Sequence, residues 1–249
     1  MINVSPRLQR FAAARFSPEG QFGLHLTIGV LLLLGAMAVF ARIAGAVVAG
    51  APITQLDAEI AMWLHLHARQ DTLLRSALLV LTHLHSTPGV LTIAFCVGVW
   101  LLKRGHRYWP MALVAAVPGG MLLNVALKHT FERARPHFEE PILTLTTYSF
   151  PSGHTMAATV LYGLLACYAA RHARTWLGRV LPFVLAAIMV GAIAFSRMYL
   201  GAHYLSDILA ALVEGCGWLA VCISAAATLN RRRAARQRRR QGAAPPQEF

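Results

Sequence analysis

Three short polar stretches interrupt this apolar chain, and each holds residue types that could act on an anion. They are KHTFERARP at 128–136, FPSGHT at 150–155 and SRMYLGAHYLSD at 196–207. Each lies at the end of a long apolar run. Their cations, imidazoles and Ser-Gly turn are the groups that an anion-transferring site needs.

His203 and Asp207 stand four residues apart, so they share one face of a helix. A carboxylate on one ring nitrogen fixes the tautomer and leaves the other nitrogen free to act as a nucleophile. A structural pair that caps the last apolar segment would have the same spacing. His154 is a second imidazole, which could donate a proton to a leaving oxygen.

Three cations, Lys128, Arg135 and Arg197, come from separate segments of the chain. Any one of them could simply extend from the end of a membrane span towards water. Beside Ser152 and Gly153 they instead favour an anion site, because the free N–H groups and positive dipole end of a helix start suit a phosphate. A glycine also lets a ligand approach the backbone closely.

The composition indicates what must position these residues. Of the 249 residues, 57% are hydrophobic and only 13% are charged, about half of the roughly 25% typical of soluble domains. The apolar runs approach the ~20 residues that cross a bilayer. We therefore predict an all-α, polytopic integral membrane protein with six transmembrane helices and one interfacial amphipathic helix.

The predicted spans cover residues 22–48, 88–102, 109–128, 154–170, 180–195 and 203–229. The segment 54–71 begins with a T-x-x-D pattern typical of a capping box, and it is too short and polar to span. We place it in the interface with Trp63 as an anchor. Residues 73–84 are also expected near the interface.

Residues 1–230 are predicted to form a single transmembrane domain that holds the anion site, and 231–249 a basic, disordered tail. Most of the 23 Lys and Arg residues lie in the arm 1–21, in 103–107, in 171–179 and in this tail. Six spans put these segments on one side, which the positive-inside rule makes cytoplasmic. Both termini would then be cytoplasmic in the inner membrane, with the polar stretches facing the periplasm. The net charge of +13 is thus explained without nucleic acid.

In order and spacing, the three polar stretches resemble the three-part signature of the type-2 phosphatidic acid phosphatase superfamily. That superfamily contains membrane lipid phosphatases and soluble vanadium haloperoxidases. The signature positions are filled, in chain order, by Lys128, Arg135, Pro136, Pro151, Ser152, Gly153, His154, Ser196, Arg197, His203 and Asp207.

The resemblance implies a role for each residue. His203 would attack phosphorus and become a phosphohistidine, Asp207 would orient it, and His154 would protonate the leaving group and later activate water. The phosphoryl oxygens would be held by Lys128, Arg135, Ser152, Gly153 and Arg197. No cofactor and no metal ion are expected.

The function that this combination favours is metal-independent hydrolysis of a lipid phosphate monoester or diphosphate. Candidate substrates are undecaprenyl pyrophosphate, phosphatidylglycerophosphate and phosphatidic acid. Two alternatives are a phosphotransferase that passes the phosphoryl group to another lipid, and a non-enzymatic lipid transporter. The transporter would explain the cations but not His203, Asp207 and His154 together. The sequence indicates neither an oligomeric state nor a role for Glu214. Asn124 lies one turn before Lys128 and could orient its amine, but we favour an interhelical hydrogen bond.

Overall fold

A computed structural model describes residues 23–240, which form eight α-helices and no β-strand. The helices are α1 Leu24–Val48, α2 Pro52–Gln70, α3 Thr72–Leu84, α4 Thr87–Lys103, α5 Tyr108–Phe131, α6 Gly153–His172, α7 Trp176–Tyr199 and α8 Leu205–Arg240. The all-α prediction is confirmed. The predicted N-terminal arm and residues 241–249 lie outside the described part of the chain.

Four of these helices, α1, α5, α7 and α8, are long and apolar enough to cross a membrane. Helices α3 and α4 meet at 56° and would add a fifth span if the bent pair crosses as one. The predicted number of six spans is therefore not confirmed. Helix α6, expected to span, packs against α4, α5, α7 and α8. Because other helices cover it, α6 can carry polar residues such as His154 and Thr159.

Helices α5 and α8 pack closely against each other along their middle parts. The indole of Trp218 lies against Gly119 and Gly120, and a Cβ added at either glycine would come within 3.0 Å of the ring. Trp218 Nε1 also donates a hydrogen bond to the Ala116 carbonyl, at 3.1 Å. A side chain at either position would force the indole to shift by a few tenths of an ångström, so the two glycines favour this close contact.

The bundle has two chemically different ends. At one end, the Arg233 guanidinium lies 5.4 Å from the ring centroid of Tyr108, and the rings of His106 and His172 lie 5.2 Å apart. The basic segments 103–107 and 171–179 therefore lie near the C-terminal part of α8. At the other end, α5, α6, α7 and α8 present the three polar stretches.

Two local predictions are wrong. Residues 231–240 are helical rather than disordered, because alanine, arginine and glutamine are strong helix formers that extend α8.

The second concerns the start of α2. Helix α2 begins at Pro52, which suits a first turn, and its N-terminus has no side-chain cap. Thr54 Oγ1 donates to the Ala51 carbonyl at 2.8 Å, and Asp57 is buried instead of completing a capping box.

We expect cysteines introduced at Gly105 and Arg174 to lie on the opposite side of the membrane from one at Glu139. All three positions are exposed, and they lie in turns at opposite ends of the bundle. The positive-inside rule places the first two in the cytoplasm. Labelling intact cells with an impermeant maleimide, in a variant without the four native cysteines, tests this. Labelling of Gly105→Cys but not of Glu139→Cys would show that the protein has the opposite orientation in the membrane.

Candidate active site

The three polar stretches converge on one cavity of about 240 Å³ at the end of the bundle. The predicted site residues that line it are Lys128, Arg135, Gly153, His154, Arg197 and His203. They come from α5, the loop after it, α6, α7 and the loop before α8. Ser152 and Asp207 do not line the cavity and are completely buried behind it.

His203 is held between an acceptor and a donor. Its Nδ1 lies 3.3 Å from Asp207 Oδ2, and its Nε2 lies 3.3 Å from Arg135 Nη1. A guanidinium can only donate, and an ionised carboxylate can only accept. The proton of a neutral ring is therefore assigned to Nδ1, and Nε2 carries the lone pair on the side of Arg135.

Burial, the main cause, holds the pKa of His203 well below its usual value of 6.5. The positive charges of Arg135, Arg197 and Lys128 lower this pKa further. A low pKa keeps the imidazole neutral at physiological pH, and only the neutral ring has a free nitrogen lone pair.

Main-chain carbonyls hold two of the cations. Lys128 Nζ donates to the Tyr148 carbonyl at 2.6 Å. Arg135 Nε donates to the Thr147 carbonyl at 2.7 Å, and its Nη1 donates to the Ala202 carbonyl at 2.6 Å. These neutral acceptors fix the side chains without cancelling their charges, so the positive potential remains available to a ligand.

Arg197 is the most deeply buried cation of the site, with 4% of its surface exposed. Its Nη1 donates to Thr82 Oγ1 of α3 at 2.5 Å. Its Nε has no hydrogen-bond partner among the described residues. A buried donor without a partner is costly, so an anion in the cavity would stabilise this arrangement.

The start of α6 adds main-chain donors to the cations. The first N–H groups of a helix have no acceptor within it, and they carry the positive end of the dipole. A Cβ at Gly153 would lie 3.2 Å from Asn124 Oδ1, so a side chain here would crowd α5. Ser152 Oγ pairs with Thr155 Oγ1 at 3.1 Å, and the Ser152 main-chain N–H donates to the Asp207 carbonyl at 3.2 Å, so Ser152 joins the start of α6 to the start of α8.

The model of the PAP2 superfamily matches residues 107–231, half of the chain. The chain belongs to the PAP2 superfamily. Phosphatidylglycerophosphatase B of Bacillus subtilis is 31% identical over 139 residues, which are 52% of this chain and 64% of that protein. Lipid A 1-phosphatase of Rhizobium etli is 32% identical over 111 residues, 41% of this chain and 43% of that protein. The chain thus matches less than two thirds of either curated relative.

A solved structure shares the fold of this PAP2 protein. The crystal structure of a transmembrane PAP2-type phosphatidylglycerolphosphate phosphatase from Bacillus subtilis superposes with a TM-score of 0.69. The match covers 76% of this chain and 93% of the other, with 24% identity. The resemblance found in the signature is therefore confirmed at the level of family and fold.

Sequence reasoning missed Arg133 and Asp57. Arg133 Nη1 donates to Asp207 Oδ1 at 2.6 Å, and its Nη2 donates to Asp57 Oδ2 at 2.8 Å. Arg133 could have been noticed, since it lies two residues before Arg135 in a polar stretch. Asp57 gave no such signal, because its T-x-x-D context indicated a helix cap.

His85 also lines the cavity, although its position in the sequence did not indicate a functional role. Its Nδ1 lies 3.0 Å from the Leu81 carbonyl, which can only accept, so Nδ1 carries the proton. Its Nε2 then accepts from the Tyr162 hydroxyl. Both ring nitrogens are engaged, so His85 fixes the bend between α3 and α4 beside the site.

The expected interhelical hydrogen bond of Asn124 is confirmed. Asn124 Nδ2 donates to Glu214 Oε2 at 2.9 Å, which joins α5 to α8 below the cavity. Asn124 itself lines the cavity, so Glu214 lies one side chain behind it. In residues 23–240, no group of three or more His, Cys, Asp and Glu side chains is placed to hold a metal ion.

We expect Gly201→Ala to lower the thermal stability of the protein and to displace the His203 loop. Gly201 has φ of 71°, and a Cβ there would lie 2.8 Å from Phe138 Cε2. Phe138 cannot retreat easily, because its ring stacks on His65 with centroids 3.9 Å apart. The left-handed conformation alone costs alanine about 1–2 kcal/mol.

Thermal unfolding in detergent measures this effect. Gly191→Ala is the matched control, because Gly191 lies within α7 and a Cβ there would meet no atom within 4 Å. Its melting temperature should stay the same or rise, since alanine favours helix. Equal melting temperatures for Gly201→Ala and the parent protein would show that the loop is not constrained as described.

Proposed function

We propose that this protein hydrolyses a phosphate monoester or diphosphate carried by a lipid, through a phosphohistidine on His203 and without a metal ion. One observation carries the proposal. His203, oriented by Asp207, presents the lone pair of Nε2 in a cavity lined by Lys128, Arg135 and Arg197. The names of the two curated relatives, both lipid phosphatases, support the same class of reaction.

In the first step the phosphoryl group moves from the lipid to His203. His203 Nε2 attacks phosphorus, the N–P bond forms, and the bond to the leaving oxygen breaks. Asp207 accepts the Nδ1 hydrogen bond, and its negative charge stabilises the positive charge that the ring gains. The cations neutralise the equatorial oxygens, where preorganised charge lowers the barrier most. Burial, and after it the charge of Arg197, lowers the pKa of His154 to about 3, so His154 must take up a proton together with the negatively charged phosphate, which raises that pKa. His154 then gives this proton to the leaving oxygen.

The second step restores the enzyme. His154, now neutral, takes a proton from water, and the resulting oxygen attacks the phosphohistidine. The O–P bond forms, the N–P bond breaks, and inorganic phosphate leaves with His203 neutral again. One histidine thus acts as acid and then as base, as microscopic reversibility requires.

Arg135 couples binding of the phosphate to exposure of the nucleophile. The Nε and both Nη atoms of Arg135 donate hydrogen bonds to neighbouring groups. Its Nη1 also points at the lone pair of His203 Nε2. A phosphoryl oxygen is a stronger acceptor than a neutral imidazole, because it is charged. When it takes the Nη1 hydrogen bond, Nε2 becomes free to attack.

The position of the cavity favours a lipid. It lies at the ends of membrane helices, and Met121, Val125 and Leu145 form part of its lining. A head group could reach the cations while its chains remain in the bilayer. Phosphatidylglycerophosphate, the 1-phosphate of lipid A, phosphatidic acid and undecaprenyl pyrophosphate all fit this description. With the basic segments in the cytoplasm, the site faces the periplasm of the inner membrane.

We predict that His203→Ala abolishes phosphate release and that Asp207→Asn lowers kcat by about two to four powers of ten, by analogy with other orienting carboxylates. The measurement is release of inorganic phosphate from long-chain lipid phosphates in mixed micelles, with EDTA present. His137→Ala is the matched control, because His137 is exposed in the loop after Arg135 and does not line the cavity.

The outcomes separate the alternatives. Turnover that survives in His203→Ala would exclude a His203 phosphohistidine, and activity that EDTA removes and magnesium restores would exclude the metal-independent route. Transfer of phosphate to a second lipid without release to water would identify a phosphotransferase. A lipid transporter would consume no substrate at all.

A further inference from the structure

Arg133 bridges two buried carboxylates beside the proposed catalytic pair. Its guanidinium contacts Asp207 Oδ1 at 2.6 Å and Asp57 Oδ2 at 2.8 Å. The Arg133 side chain is 13% exposed, and both carboxylate side chains are completely buried. Buried ion pairs depend on good geometry to offset their desolvation, so each member of this triad constrains the others.

Asp57 has a second anchor at the start of α8. Its Oδ1 accepts from the Ser206 main-chain N–H at 2.9 Å, and its Oδ2 accepts from the Ser206 hydroxyl. Asp57 itself does not line the cavity. It therefore acts on the residue that precedes Asp207 as well as on Arg133, without reaching the phosphate.

The two carboxylate oxygens of Asp207 have different partners. Oδ2 lies 3.3 Å from His203 Nδ1 and accepts from the Tyr204 N–H at 3.0 Å. Oδ1 accepts from Arg133. If Arg133 lost its second carboxylate, its whole charge would act on Asp207. The carboxylate would then stabilise a positively charged His203 less well.

We infer that Asp57 is a positioning residue for the reaction: it holds Arg133 on Asp207 and Ser206 at the start of α8, and so sets the alignment of Asp207 with His203. This inference rests on the proposed function, in which His203 is the nucleophile. It adds to the site a residue of α2, a helix that precedes the segment matched by the family model.

The placement of Asp57 ties the site to the outer surface of α2. While Asp57 faces the bundle, the side chains of Leu56, Met62, Trp63 and Leu66 are exposed on the same helix. These apolar side chains suit the membrane interface. The contacts of Asp57 that hold α2 on the bundle are therefore the same contacts that position Arg133 and Ser206 beside Asp207.

The effect of removing the Asp57 charge should be graded. The Tyr204 ring lies 4.4 Å from the Arg133 guanidinium carbon and holds the cation from another side. Arg133 would therefore stay near Asp207 but with less fixed orientation. By analogy with the residues that hold metal ligands in place, which contribute about 10–100-fold, we expect a loss of that order for Asp57, less than the loss expected for Asp207→Asn.

The test is a double-mutant cycle with Asp57→Asn and Asp207→Asn. Asp57→Asn alone should lower kcat for a long-chain lipid phosphate by about 10–100-fold, with KM changed less than about threefold because the cations still bind the phosphate. In the Asp207→Asn background, Asp57→Asn should lower kcat little further, because Asp57 acts through the Asp207 carboxylate that this background has already lost. The matched control is Glu59→Gln, the same loss of charge at an exposed position of α2.

A kcat of Asp57→Asn equal to that of the parent protein would overturn the inference. So would an undiminished loss in the Asp207→Asn background, since a merely structural role acts independently of Asp207. If Asp57→Asn does not fold, Arg133→Lys tests the same link, because lysine keeps the charge but cannot bridge two carboxylates as a guanidinium does. Parent-level kcat in Arg133→Lys would also overturn it. Failure of the proposed function shows differently, as turnover that survives in His203→Ala.

Discussion

The structure depends on holding three positive charges, those of Lys128, Arg135 and Arg197, around one small cavity at the membrane boundary. Like charges in a medium of reduced dielectric repel strongly. Neutral acceptors, mainly carbonyls of the loop before α6 and the hydroxyl of Thr82, fix them without neutralising them. The potential therefore remains for an anion, and a bound phosphate would relieve the repulsion.

This constraint explains why so much of the chain meets at one end of the bundle. The helices deliver the cations and histidines at their ends, where loops can supply carbonyls. Close packing of Trp218 on Gly119 and Gly120 brings two of these helices together below the cavity. The negative charges are kept off the cavity wall: Asp207 and Asp57 are buried behind it, where Asp207 contacts His203 and Asp57 contacts Arg133 and Ser206.

The sequence predicted the helical class, the membrane character and the convergence of the signature residues, because spacing such as that of His203 and Asp207 has a local geometric meaning. It could not predict Asp57 or Thr82, whose partners lie far along the chain and meet them only after folding. The T-x-x-D pattern described a local cap that tertiary ion pairing replaced. Helix α6 is covered by its neighbours and can therefore carry polar residues, so its composition does not indicate whether it crosses the membrane.

The measurement that tests the central claim most directly is a search for the covalent intermediate. The purified protein would be mixed with a lipid labelled in its terminal phosphate, quenched in alkali within milliseconds, and analysed by peptide mapping. We predict a base-stable, acid-labile label on the peptide that contains His203, formed before phosphate is released. Absence of a label during active turnover, or a label on another residue, would contradict nucleophilic catalysis by His203.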